Sequence, residues 1–167
     1  FDRLTFRVED AFLGDGDDDS GDRPMTAASG HVGVVWRQSA QFAPYANVAT
    51  SFETPTTTEL QVRPDGQGGF NPDLGPQRIR TMEIGARGQW TRDGAGLLGR
   101  VDYEVALFQS DADDAIVQFL ETAGRAFFRN AGRTRSRGAE LGVNAQLTSW
   151  LALQSAYTLS VFKFVDY

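Results

Sequence analysis

The chain has 167 residues, of which 41% are hydrophobic, a net charge of −6 and no cysteine. The acidic balance disfavours nucleic-acid binding, which needs a basic surface, and without cysteine neither a disulfide framework nor a thiolate metal site can form. The longest apolar stretches have only a few residues, which excludes a transmembrane helix because such a helix needs about 20.

Strand-length segments with alternating apolar and polar residues follow one another along the chain. The clearest is 139–147, whose odd positions are aliphatic and whose even positions include Glu140, Asn144 and Gln146. Successive side chains of a strand point to opposite faces, so this segment has one apolar and one polar face. Strands are predicted, in chain order, at 2–12, 30–37, 42–52, 78–90, 97–110, 135–147 and 150–161.

The connections between these strands alternate in length. Long connections at 14–28, 53–77 and 111–132 alternate with short ones at 38–41, 91–96 and 148–149. The last long connection contains two further strand-like pieces, 115–120 and 125–130. They predict a hairpin that extends the two flanking strands beyond the membrane in which such a sheet would lie. Outer-membrane barrels have long extracellular loops and short periplasmic turns.

The predicted fold class is therefore all-β, an antiparallel meander of about seven spanning strands. Each predicted strand has about ten residues, enough for a tilted strand to cross a hydrocarbon layer of roughly 30 Å. Single-chain bacterial barrels have an even number of strands, so an odd count indicates part of a larger transmembrane β-barrel. The free edges of such a part would need partners, which predicts possible edge-strand self-association.

Two alternatives belong to other classes. A complete small outer-membrane barrel of the protease or lipase type would need an eighth strand and a catalytic set, and the sequence offers neither. A soluble β-sandwich binding domain would not sort its residues so cleanly into apolar and charged faces, and its loops need not alternate in length.

Several segments have specific sequences in addition to the general strand pattern. They are 45–60, 70–77, the following 82–85 and 130–141. Together they resemble the barrel of TonB-dependent outer-membrane receptors, in the order and spacing of that family, and the similarity covers nearly the whole chain. Asp2-Arg3 and the acidic loop that follows are similar to the subgroup that takes up ferric siderophores. The plug domain, the TonB box and the final strands of the family are not found, so 1–167 is interpreted as a partial barrel domain.

The resemblance implies a parent protein in the outer membrane of a Gram-negative bacterium. That parent would import an iron–siderophore or similar nutrient complex, driven by TonB through its plug, and would not be an enzyme or carry a cofactor. This segment would supply barrel wall against the lipid, lumen lining and extracellular loops. Ligand contacts of the family come from the lumen top and outer loops, which here implies Phe70, Phe127, Phe128 and Arg129, because ferric siderophores are often aromatic and anionic.

The acidic loop is the strongest candidate for a cation site. Asp15, Asp17 and Asp19 offer oxygen ligands at alternate positions, as calcium prefers. However, Ser20 stands where an EF-hand loop has Gly, and Thr26 stands where it has Glu. A solvated acidic loop is therefore the preferred interpretation.

Three other patterns have structural interpretations. Gly94, Gly96 and Gly99 match a dinucleotide-binding spacing, but a strand follows where that motif requires a helix. His31 has no Ser, Cys or Asp pattern around it, so a hydrolytic triad is not supported and a lumen-facing residue is preferred. Trp36, Trp90 and Trp150 lie near short turns, which is typical of an interfacial aromatic girdle rather than a ligand site, and Tyr103 and Tyr157 are interpreted in the same way.

The carboxylates along the predicted strands suggest acid–base chemistry at first sight. They are interpreted instead as partners in cross-strand ion pairs on one polar face. The residues assigned to this face are Glu83, Asp102, Glu104, Glu140, Arg80, Arg87 and Arg100.

Overall fold

The computed structural model describes residues 1–11, 14, 20–66, 68–91, 99–120 and 126–166. No helix in these ranges is long and apolar enough to cross a membrane. The elements in chain order are β1 (Asp2–Val8), β2 (Gly21–Ala27), β3 (Gly30–Val35), β4 (Ala43–Glu53), α1 (Thr57–Leu60), β5 (Gln77–Thr91), β6 (Arg100–Asp113), β7 (Ile116–Leu120), β8 (Ala126–Asn130), β9 (Arg133–Gln146) and β10 (Ala152–Asp166).

Most of the chain forms one antiparallel sheet with the strand order β10-β9-β6-β5-β4-β3. Strands β5 and β10 have 15 residues, and β6 and β9 have 14. A tilted strand crosses a bilayer core with about 9–11 residues, so these strands extend beyond it at one end or both. Within the described residues the sheet does not close on itself. The predicted all-β antiparallel meander is thus confirmed.

The strand register sorts the residues of the sheet onto two faces. Residues directly opposite each other in an antiparallel pair share a face. Val101, Val105 and Leu107 of β6 lie opposite Ala145, Leu141 and Ala139 of β9, and these residues define the outer face. Side chains of intervening positions, including Glu83, Glu104 and Glu140, define the inner face. Many aliphatic side chains of the outer face are exposed, so the sheet presents an apolar surface to its surroundings.

The first predicted strand does not join this sheet, which contains six strands rather than about seven, so the argument from an odd strand count fails. Strand β1 pairs with β2, a strand that lies inside the predicted polar loop 14–28. Alternation in β1 marks a face that is buried against protein, because Phe6 and Val8 pack on a cluster of buried side chains. Alternation alone cannot distinguish lipid from a small protein core, and this is why the strand count was too high.

The remaining elements lie at the end of the sheet that carries the long connections. We call the β1–β2 hairpin, α1, residues 54–76 and the β7–β8 hairpin "the cap". Strands β7 and β8 pair as the predicted hairpin between β6 and β9. Helix α1 begins with a capping box in which the Thr56 hydroxyl accepts from the Glu59 N–H and the Glu59 carboxylate accepts from the Thr56 N–H, which satisfies donors at the helix start.

Candidate functional site

The cap has its own hydrophobic core. Leu60 and Leu74 are completely buried, and Met25 and Phe70 are only 5% and 8% exposed. Full burial of a leucine side chain contributes about 1.5–3 kcal/mol. These four residues come from β2, α1 and the segment that precedes β5. The cluster therefore holds together parts of the chain that are far apart in sequence, above the end of the sheet.

Asn71 is a completely buried polar residue of the cap. Its side-chain amide donates to the Phe128 carbonyl at 3.1 Å, and its side-chain oxygen accepts from the Asp73 N–H at 3.0 Å. Its own N–H donates to the Leu60 carbonyl at 2.6 Å. Because a buried polar group without partners costs about 1–3 kcal/mol, these bonds fix one arrangement of the loop against β8.

Asn130 fixes the same loop at its other end. Its side-chain oxygen accepts from the Gly75 N–H at 2.6 Å, and its amide donates to the carbonyls of Gly75 at 2.9 Å and Asp114 at 2.8 Å. Asp114 has a positive φ of 57°, which a non-glycine residue adopts uncommonly. Asn130 thus joins the base of the β7–β8 hairpin to the loop before β5.

Two arginines stabilise the β1–β2 hairpin, one by joining its two strands and one by joining it to the central loop. The Arg7 guanidinium donates two hydrogen bonds to Asp22 across the hairpin, and it holds the pKa of that carboxyl below its usual range. Arg23 donates to the carbonyls of Pro72 and Leu74. The first pair is exposed, so it contributes little to stability. The Arg23 bonds connect the hairpin directly to the central loop.

Three of the four predicted ligand contacts take part in packing. Phe70 belongs to the cap core, Phe128 packs against it, and Phe127 is 7% exposed and stacks on Phe119 with ring centroids 5.8 Å apart. Arg129 is exposed, and its guanidinium carbon lies 4.8 Å from the Phe127 ring centroid. Ligand contact stays a prediction for all four residues. Arg129 is the exposed residue among the four.

Two predicted features fall on residues that the structure does not describe. Asp15, Asp17 and Asp19 of the acidic loop, as well as Gly94 and Gly96 of the glycine motif, lie outside the described residues. Within the ranges that are described, no group of three or more His, Asp and Glu side chains is placed to hold a metal ion. The calcium hypothesis therefore stays a prediction.

The inner face carries a network of polar side chains. The Tyr45 hydroxyl donates to Glu104 at 3.0 Å, and the Asn47 amide donates to Glu83 at 3.3 Å. Arg87 lies over the Tyr45 ring, with its guanidinium carbon 5.9 Å from the centroid. His31 lies opposite Ala49 at the edge strand β3. Such a surface suits a water-filled lumen.

The predicted cross-strand ion pairs on the inner face are wrong, because within the described residues none of its carboxylates pairs with an arginine of a neighbouring strand. Arg100 pairs with Asp102, two residues away on the same strand. Arg80 was assigned to the wrong face, because it lies opposite Asp111 in register with the outer-face residues Met82 and Ile84. Cross-strand ion pairs do occur in the sheet, but on the outer face, where Arg133 contacts Asp113 and Arg135 contacts Asp111.

The tryptophans lie at the short-turn end of the sheet. Trp36, Trp90 and Trp150 are 66%, 51% and 81% exposed. Trp90 stacks on Tyr103 with centroids 4.7 Å apart. Exposed aromatic residues at one end of an apolar surface match the predicted girdle, since indole rings favour the membrane interface.

A sheet of long antiparallel strands with an apolar outer face, a polar inner face and an aromatic rim is a segment of transmembrane β-barrel wall. The sequence matches the family described as "TonB dependent receptor-like, beta-barrel" over residues 1–167, and the chain belongs to that family. The resemblance seen in the sequence is thereby confirmed.

Solved structures share this fold. The copper transporter OprC matches with a TM-score of 0.63 and 17% identity over 96% of this chain. The Serratia marcescens hemophore receptor HasR, solved with its hemophore HasA and heme, matches with a TM-score of 0.68 and 20% identity over 95%. The FrpB iron transporter from Neisseria meningitidis matches with a TM-score of 0.59 and 21% identity over 98%. This chain covers 24%, 29% and 23% of those chains, about a quarter of their length.

Proposed function

We propose that this chain forms part of the barrel wall of a TonB-dependent receptor in the outer membrane of a Gram-negative bacterium. The observation that carries the proposal is the sorting of the six-stranded sheet into an apolar outer face and a polar inner face, with a packed cap above one end. In this arrangement the cap is extracellular and the inner face lines the lumen. The chain would act as a receptor and transporter segment, not as an enzyme.

The proposed substrate is a metal-containing nutrient complex, with a ferric siderophore as the first candidate. Related structures bear the names of a copper transporter, a heme-linked receptor and an iron transporter, which supports metal import as a class. The choice of a siderophore as the first candidate is based on the aromatic and cationic residues of the cap around Phe127 and Arg129. The exposed Arg129 guanidinium suits the anionic groups of such a ligand, whereas the Phe127 ring supports that guanidinium from below.

The two edge strands of the sheet indicate that it belongs to a larger barrel. Strands β3 and β10 each pair on one side only, and every residue of both strands is exposed. Unpaired backbone groups are unfavourable in lipid, since each costs several kcal/mol there. We infer that further strands of the same receptor continue the sheet on both sides and that 1–167 is a partial barrel domain. In isolation, these edges would promote self-association.

An uptake assay tests the proposed function. A receptor-deficient strain that carries the complete receptor should accumulate radioactive iron from a ferric tris-catecholate, and accumulation should fall to background when TonB is deleted. Heme and copper, offered in the same strain, would identify the other two substrate classes. Uptake that does not depend on TonB, or a receptor that fractionates outside the outer membrane, would overturn the proposal.

Arg129 provides a sharper test of ligand recognition. Replacement of Arg129 by Gln should weaken binding of the ferric tris-catecholate by about tenfold or more, because a hydrogen bond to a charged group contributes about 1.5–3 kcal/mol. The matched control is Arg3→Gln, which removes the same charge from β1 of the cap and should leave affinity unchanged. Equal affinities of both variants, measured by fluorescence quenching on the purified receptor, would remove Arg129 from the ligand site.

A further inference from the structure

The outer face changes character along its strands. On β6 the aliphatic series ends at Leu107 and continues as Gln109, Asp111 and Asp113. Strand β9 shows the same change, because Ala139 is followed towards the cap by three arginines opposite those β6 residues, namely Arg137, Arg135 and Arg133. On β10, Lys163 lies opposite Arg135. The boundary between apolar and charged side chains therefore crosses neighbouring strands at one level, below the cap.

A groove lies on this boundary, between β6, β9 and β10. Its volume is about 580 Å³. Leu107, Leu159 and Val161 contribute to its apolar part, and each of these side chains is more than half exposed. Arg135, Arg137 and Lys163 line its charged part. An open groove that is apolar on one side and cationic on the other matches the two ends of an anionic amphiphile.

The positive charges in the groove are only partly neutralised. Arg135 forms an ion pair with Asp111. Arg137 donates instead to the neutral side-chain oxygen of Gln109 at 2.7 Å, and neither Arg137 nor Lys163 forms an ion pair with a carboxylate of the described ranges. This excess of positive charge is local, since the whole chain has a net charge of −6. An anion at this level would be attracted to the groove and not to the chain in general.

We propose that this groove binds a phosphorylated lipid of the membrane's outer leaflet, with an acyl chain against Leu107, Leu159 and Val161 and a phosphate between Arg137 and Lys163. The proposal rests on the proposed function, because it requires the cap end of the sheet to face outward. Guanidinium presents paired donors that match phosphate geometry, and the ammonium of Lys163 adds a second charge from the neighbouring strand. The apolar floor distinguishes a lipid from free phosphate, which would gain nothing from it.

Lipid binding to the complete receptor tests the site. Receptor in phosphatidylcholine nanodiscs that contain bisphosphorylated lipid A, or lipid A with both phosphates removed, is analysed by native mass spectrometry. The double variant Arg137→Gln/Lys163→Gln should bind phosphorylated lipid A about 25-fold more weakly, because each basic residue at an anionic membrane surface contributes about fivefold. Wild-type receptor should prefer the phosphorylated lipid by a similar factor.

Two controls separate charge from structure. The exchange Arg137→Lys/Lys163→Arg retains both charges and should retain lipid binding, whereas Arg87→Gln/Arg100→Gln removes two charges from the inner face and should not affect it. Equal binding by wild type and the Gln pair would overturn the proposal, as would displacement of the lipid by millimolar inorganic phosphate with no dependence on the acyl chains. Because binding is measured in nanodiscs, it is independent of TonB and of uptake, so failure of this site and failure of the proposed function are distinguishable.

Discussion

Replacement of Leu74 by alanine is expected to open the cap while the six-stranded sheet remains folded. Leu74 is completely buried in the cluster with Met25, Leu60 and Phe70, and side chains of β1 and β8 pack on that cluster. Leucine-to-alanine changes at such sites destabilise by about 2–5 kcal/mol, because the cavity that remains is only partly filled. Among the described residues of the cap, no second cluster of buried side chains is present to compensate.

Hydrogen exchange of the complete receptor measures this effect. Backbone amides of β2 and β8 should exchange at least tenfold faster in Leu74→Ala, while those of β5 and β6 should be unchanged, because opening of the cap breaks no bond within the large sheet. Leu120→Ala is the matched control, since Leu120 belongs to β7 of the cap but is 73% exposed. If Leu74→Ala and Leu120→Ala give the same exchange rates, the cluster does not hold the cap.

The sequence predicted the sheet because its environment leaves a simple pattern. Strands with one face in lipid and one in water alternate where they cross the hydrocarbon layer, as β5, β6 and β9 do from the short-turn end up to Met82, Leu107 and Ala139. The β7–β8 hairpin was predicted from a different signal, two short strand-like pieces within one long connection. The sequence assigned Arg80 to the wrong face of the sheet. Above the hydrocarbon boundary the outer face is itself charged, so polar residues no longer mark the inner face. A polar residue there resembles a lumen residue in sequence.

The cap was not predicted because its contacts are non-local. Met25, Leu60 and Leu74 lie in segments whose sequences are typical of polar loops, with few large apolar residues and no clear strand or helix period. Pro24 also argues against a strand, yet it is tolerated because β2 pairs with β1 alone. Asn71 and Asn130 are typical loop residues in sequence, and only the fold shows that their amides join the loop to β8 and Asp114. The family-like segment 70–77 was the available signal.

Two glycines on β9 should respond to substitution in opposite ways, which tests how closely the inner face is packed. Gly138 and Gly142 share that face, four residues apart. A Cβ atom at Gly138 would lie 2.6 Å from ring carbons of Phe108, directly opposite on β6, and would also clash with the Leu159 carbonyl of β10. At Gly142 an added Cβ meets nothing within 4 Å.

Gly138→Ala is therefore expected to destabilise the barrel by about 1–3 kcal/mol, as overpacking does where neighbours cannot move aside. Phe108 can change its rotamer, but the Leu159 carbonyl is backbone and is held in the β9–β10 ladder. Gly142→Ala is expected to be neutral or to stabilise by about 0.4–1 kcal/mol, because alanine restricts the unfolded chain at no steric cost here. Urea unfolding of the refolded complete receptor, followed by tryptophan fluorescence, measures both changes.

A double variant decides which contact carries the Gly138 effect. Phe108→Ala creates space beside Gly138, so Phe108→Ala/Gly138→Ala should lose less stability than the two single changes added together. The recovery should be incomplete, because the Leu159 carbonyl still opposes the new methyl group. Strict additivity of the two changes would mean that the aromatic ring does not press on this site. Equal stabilities of Gly138→Ala and Gly142→Ala would contradict the strand arrangement itself, because only the pairing of β9 between β6 and β10 makes the two glycines different.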